Sequence, residues 1–136
     1  MLQKTLFLSL SVLATGFFLG CKKDCTKPQP DCYSGKIVAT TCMMGILVDV
    51  DPAYPIGARA VSMMGNRFLG NNVVAVANPA NLGRLASVGQ QLYFTYTSAT
   101  TPSPMACLAA DGPTTPVPIV SLHNVSATSC DSVRRR

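Results

Sequence analysis

The sequence predicts an all-β protein: a small closed barrel, or a sandwich, of five to six strands with one short helix. Three observations point there. The chain has no Glu, no Trp and few Lys, so the residues that usually furnish helix surfaces are scarce; Val, Thr, Tyr and Ile, which suit a pleated half-buried surface, are plentiful. Ten Gly and ten Pro punctuate the 136 residues at short intervals. Between those breaks lie short runs in which apolar and polar side chains alternate.

The elements follow in order. "CYSGKIVATTC", framed by Cys32 and Cys42, is the first extended run. "GILVDVD" places Ile46, Val48 and Val50 on one face and Leu47, Asp49 and Asp51 on the other. Asp51-Pro52 and Pro55 through Gly57 break it. "RAVSM" and "NNVVAVAN" are the next two strands, divided by the turn signals Gly65-Asn66 and Gly70-Asn71. "NPANLGRLASVG" is the one stretch with helical promise, and its glycines hold it to a turn or two. "QQLYFTYTS" is the strongest strand, with Leu92, Phe94 and Tyr96 opposing Tyr93, Thr95 and Thr97. A proline-rich loop from Thr101 to Pro118 precedes the last strand, "IVSLHNVS". In size and spacing this set resembles the barrel of the OB-fold.

The N-terminus carries a different signal. Lys4 is the only charge before an apolar stretch from Leu6 to Leu19, the pattern of a signal peptide. The stretch is too short, and too rich in Ser, Thr and Gly, for a transmembrane helix of about 20 apolar residues. It ends "FLGC", which resembles the lipobox of bacterial lipoproteins, with Gly20 before the cut and Phe18 where Leu is usual. The resemblance implies cleavage before Cys21 and acylation of that cysteine. Each buried CH₂ of an acyl chain contributes about 0.8 kcal/mol, so more than one chain anchors stably.

No aspartate directly follows Cys21, so the inner-membrane retention signal of enteric lipoproteins is missing. The lysines followed by Asp24 faintly resemble the surface-export signals of Bacteroidota lipoproteins. The "C-Y-x-G" opening strand and the later aromatic strand after a glycine resemble small Bacteroidota envelope lipoproteins, a likeness that implies no activity. The expected organisation is a signal peptide over 1–20, a lipidated tether over 21–31, a β domain over 32–130 and a basic tail over 131–136. The expected address is the cell envelope, with the outer membrane favoured, at its periplasmic or surface face.

Net charge is +5, and three of the positives are Arg134, Arg135 and Arg136, so the body is close to neutral. Nucleic-acid binding, which needs a basic stripe interleaved with aromatics, is not indicated. The expected partners are the membrane, through the N-terminal lipid, and a protein.

Beyond Cys21 stand Cys25, Cys32, Cys42, Cys107 and Cys130. An exported chain meets an oxidising compartment, where bridges are the default. If the first strand pairs antiparallel with the last, Cys32 at its start faces Cys130 beyond the last strand's end. Cys42 at its end then faces Cys107 in the loop before that strand. Nested bridges Cys32–Cys130 and Cys42–Cys107 follow, leaving Cys25 in the tether. The spacings match no C-x₂-C knuckle, no H-x₃₋₅-H pair and no haem attachment motif, so no cofactor is expected.

His123 is the only histidine and has no G-x-S-x-G partner motif; it reads as a strand-end residue with a satisfied ring. Asp49 and Asp51 share a strand face, expected to be solvated, and offer too few oxygens for Ca²⁺. The thioethers of Met43, Met44, Met63 and Met64 suit Cu(I), but adjacent residues on a strand point to opposite faces. Apolar packing or an adaptable contact patch is the stronger reading. Asp131-Ser132-Val133 resembles the O-glycosylation motif of exported Bacteroidota proteins, with Ser132 as acceptor. The function expected is a non-enzymatic, lipid-anchored binding or scaffolding domain. The alternative is a small copper- or zinc-handling lipoprotein or a minor enzyme.

Overall fold

Strands whose side chains alternate in polarity can bury one face by curling into a closed wall, and the chain does so. The computed structural model describes residues 30–102 and 107–134. Six strands form: β1 (Tyr33–Thr41), β2 (Gly45–Val50), β3 (Ala58–Val61), β4 (Phe68–Val76), β5 (Gln91–Ala99) and β6 (Ile119–Ser126). A 3₁₀ helix spans Pro79–Leu85, and a short helix, α1, spans Cys130–Arg134. The sheet order is β2-β1-β5-β6-β4, and a β2–β4 pairing closes it into a five-stranded barrel. β3 pairs with β4 outside the ring. Every pairing is antiparallel except β4–β6.

The alternation decides what lies inside. Ile46, Val48 and Val50 of β2, Val74 and Val76 of β4, Leu92 and Phe94 of β5, and Val120 and Leu122 of β6 share the barrel core with Ile37 and Tyr33. Each such side chain contributes about 1.5–3 kcal/mol by leaving water. Tyr33 organises the aromatic part. Its ring makes edge contacts with Tyr54 and Tyr96 at 5.7 and 4.9 Å and stacks with Phe94 at 6.2 Å.

The parallel β4–β6 pairing covers only Ala75↔Ile119 and Val76↔Val120. Where it stops, the Asn78 side chain acts as a strand partner, accepting from Leu122 N and donating to Leu122 O, both at 2.8 Å. The 3₁₀ helix that follows carries Leu82 into the barrel core. It matches the helical stretch expected there, and Gly83 at φ +50 breaks its regularity.

A second core lies on the outside of the barrel. Leu47 of β2, Val73 and Ala75 of β4, and Ala39 of β1 point outward, yet all are buried. They pack against Ala60 of β3, Leu69 and Val117. The β3–β4 hairpin therefore folds back over the wall, and both faces of β2 are buried except at Asp49.

Three expectations change. The first strand does not pair with the last: β5 lies between β1 and β6, which run in the same direction. The stagger across β5 sets Tyr33 opposite Phe94, close to where Tyr93 pairs with Ser126 of β6, so the start of β1 still meets the end of β6. Gly70-Asn71 is not a turn but lies within β4. The Asp49 carboxylate fills the space a Cβ on Gly70 would need, which explains the glycine. Asp49 is accordingly half-buried rather than on a solvated face, and its Oδ1 accepts from Asn72 N at 3.1 Å. The chain past Cys130 is helical to Arg134, and Val133 is buried.

Candidate functional site

In OB-type barrels the outer face of the second and third barrel strands, with the loops joining strands one to two and four to five, carries ligands. The equivalent strands here are β2 and β4. Their outer face holds the second core and is covered by β3 and by the segment around Val117. What remains open is the loop end.

The first of its loops is the β1–β2 turn, Cys42–Met44. Thr41 Oγ1 closes the turn by donating to Gly45 O and accepting from Met44 N, both at 3.1 Å. The second is the segment after residue 106. A disulfide joins Cys42 to Cys107, with Cα atoms 5.5 Å apart. Asp111 adds a polar clamp: its two carboxylate oxygens accept from Cys42 N at 2.9 and 2.8 Å, and Oδ1 also accepts from Met43 N at 3.2 Å. Hydrogen bonds to an ionised carboxylate are roughly twice as strong as neutral ones.

The third loop is the β3–β4 turn, Met63–Asn66, closed by Ser62 N donating to Arg67 O at 2.8 Å. Its tip residues Gly65 and Asn66 have φ of +72 and +48. The 112–115 segment runs beside β3 as an irregular partner. Ser62 bridges Pro113, Met63 N donates to Gly112 O at 2.9 Å, and Thr114 N donates to Val61 O at 2.8 Å.

The three loops thus converge on Gly112, and the methionines come with them. A Cβ on Gly112 would lie 3.7 Å from the Met43 sulfur and 3.7 Å from Met44 Cγ. Both methionine pairs lie in turns, so the expectation that neighbours would point to opposite faces of a strand does not apply. Met43, Met63, Met64 and Leu108 are all exposed, Leu108 completely. Met44 packs against the outer core.

The remaining residues singled out from sequence are scattered. The second disulfide joins Cys32 to Cys130, with Cα atoms 5.6 Å apart. Cys21 and Cys25 lie outside the described residues. His123 sits within β6 opposite Thr95, not at a strand end, and its Nε2 is 3.0 Å from Thr97 Oγ1. Asp51 borders the same hollow as Asp49 and accepts from Ala53 N at 2.9 Å. Ser132 is half-buried on α1, its hydroxyl 2.9 Å from Thr128 Oγ1 and 3.3 Å from Ser129 Oγ. Among the described residues no three His, Cys, Asp or Glu side chains gather into a metal-holding group.

Sequence reasoning missed Asp111 and Asn72. Asp111-Gly112 is a visible turn signal, but nothing local says which backbone the carboxylate will clamp. Asn72 is buried, and its partners lie between 15 and 22 residues away. Fold and loop end together define a disulfide-braced, OB-like β-barrel whose loops carry exposed thioethers. No protein-family model matches the chain, and no curated protein does.

Proposed function

We propose that the protein is a lipid-anchored component of the cell envelope, held through Cys21, whose barrel is a non-enzymatic binding domain that meets a protein partner with its loop end. One observation carries the binding part. Four of the exposed large hydrophobic side chains, Met43, Met63, Met64 and Leu108, sit on the three converging loops. A disulfide, a carboxylate clamp and backbone hydrogen bonds hold those loops. Apolar surface held in place this way is costly in water unless something covers it. Methionine, flexible and polarizable, suits a surface that adapts to a partner. The usual OB-type face is filled by the chain's own hairpin, which supports binding through the loops.

Two experiments test this reading. Labelled palmitate should enter the wild-type chain in a bacterial host and be lost in Cys21→Ala; incorporation that survives the change refutes the anchor. A photo-crosslinking residue placed at Leu108 should give a discrete adduct in the native envelope, while the same residue at Arg84 gives none. Equal labelling from both positions would refute a loop-end interface.

A second reading has one observation in its favour. The Met43 sulfur would lie 3.7 Å from a Cβ on Gly112, and the Met63 backbone N donates to Gly112 O, so two methionine-bearing turns meet at one residue. Soft thioethers select Cu(I) over zinc. Stoichiometric copper in the purified protein would replace the first reading with this one.

A further inference from the structure

A groove of about 250 Å³ opens beside β1, between the β3–β4 hairpin and the turn that leads into β5. Its apolar side is made by Val38, Leu69, Phe68 and Val88, and the last two are exposed. Lys36 and Arg67 border it. Both walls are tied to β1. Gly89 N donates to Ile37 O at 2.7 Å, and Ile37 N donates to Gln90 O at 2.9 Å. On the hairpin side, Arg67 Nη2 donates to Val38 O at 3.3 Å.

Charge is concentrated here. The Arg59 guanidinium lies 5.7 Å from the centroid of the Phe68 ring. Of the Lys and Arg residues whose side chains are described, Lys36 and Arg67 line this groove, Arg59 lies over the Phe68 ring, and Arg84 lies on the 3₁₀ helix. No aspartate is among the residues lining it. Asp49 stands opposite Lys36 on β2; with Asp51 and Lys36 it borders the neighbouring hollow, and its Oδ1 accepts from Asn72 N.

We propose that this groove binds a small amphiphilic anion, with a phosphate or carboxylate between Lys36 and Arg67 and a short hydrocarbon segment against Val38, Phe68 and Val88. The Val38 bond uses one of the five N–H donors of the guanidinium and leaves four for a ligand. An apolar wall beside two cations lowers the local dielectric and strengthens a charge-assisted hydrogen bond. A neutral apolar ligand would leave the cations unmatched, and a bare anion would leave the wall wet. The same chemistry is offered by a phospholipid headgroup and by a free organic phosphate. This inference does not rest on the loop-end reading and survives its failure.

The test uses the full-length ¹⁵N-labelled chain in phosphatidylcholine nanodiscs, titrated with butyl phosphate. Amides of Val38, Phe68, Val88 and Gly89 should shift saturably. Inorganic phosphate and butanol, each lacking half of the ligand, should bind at least about tenfold more weakly. Arg67→Gln should weaken butyl phosphate about tenfold while Arg84→Gln leaves it unchanged. Discs containing anionic phospholipid separate the sources: groove shifts without butyl phosphate identify a headgroup, and shifts only on titration identify a free anion. Absence of saturable groove shifts in both arms, or affinity untouched by Arg67→Gln, overturns the proposal.

Discussion

Asn72 is the residue whose loss should cost the barrel most for its size. It is 3% exposed, and its side chain joins three parts of the chain. Oδ1 accepts from Gly57 N at 2.6 Å, and Nδ2 donates to the carbonyls of Val50, Asp51 and Tyr54 at 3.2, 3.1 and 2.8 Å. Together these bonds fasten the 51–57 loop to β4. In Asn72→Ala the bonds to Gly57, Asp51 and Tyr54 lie where water can re-enter, and each is worth about 1 kcal/mol net. The Val50 carbonyl is more deeply buried, and leaving it unpaired costs about 1–3 kcal/mol. The expected loss is about 4–6 kcal/mol, a large fraction of the roughly 5–15 kcal/mol that holds a domain folded. Guanidinium unfolding under non-reducing conditions measures it as a lower midpoint with an unchanged slope. A loss below about 1 kcal/mol would refute the assigned network.

Asn72→Asp sharpens the test. The carboxylate would keep the acceptor for Gly57 N but face three carbonyls and the nearby Asp49. Its folded pKa must then rise above the ordinary value of about 3.9. A raised carboxyl pKa means the variant is least impaired below about pH 4 and loses stability as pH climbs through the folded value. Stability that instead improves with rising pH contradicts the burial.

Other outcomes can be checked alongside. Gly70→Ala places a methyl where the Asp49 carboxylate sits and should cost about 1–3 kcal/mol by overpacking; pairing it with Asp49→Gly should recover part of that loss. Replacing both Cys42 and Cys107 with Ala frees a 65-residue loop and should cost about 2–4 kcal/mol in non-reducing unfolding. The same variant should lose hydrogen-exchange protection at Met63 N and Thr114 N before it loses protection in β5. Asp111→Ala removes the clamp on Cys42 N and Met43 N and should cost about 1.5–3 kcal/mol, with exchange loosening confined to the loop end. Leu47→Ala should cost about 2–5 kcal/mol, as for a core residue; a value near zero would show that the hairpin does not seal the outer face.

Much of the fold was legible because its determinants are local. Strand periodicity survives in any register, so Ile46, Val48 and Val50 could be assigned to one face, and Leu92 with Phe94 to another, before any partner was known. The loop-end site was harder to read. The methionine pairs were visible, but their conformation depends on the Thr41 closure of one turn and the Gly65-Asn66 tip of the other. Their meeting at Gly112 depends on a segment more than 45 residues away from either, placed there by the Cys42–Cys107 bridge.

The disulfides show where local and global information divide. Cys32 and Cys42 bracket β1, and Cys107 and Cys130 bracket β6, so nesting follows once the ends of those two strands come together. Sequence alone therefore determined the strand set and most inward faces, because each follows from periodicity, whereas the nested bridges were reached through an antiparallel β1–β6 pairing that the fold replaces with the stagger across β5. Only the tertiary structure decided that β5 separates β1 from β6, that Gly70 yields space to Asp49, and that β3 folds back to bury Leu47. Those outcomes come from ring closure and from how far a hairpin curls. Both are settled by contacts between distant segments, which no short stretch of sequence specifies.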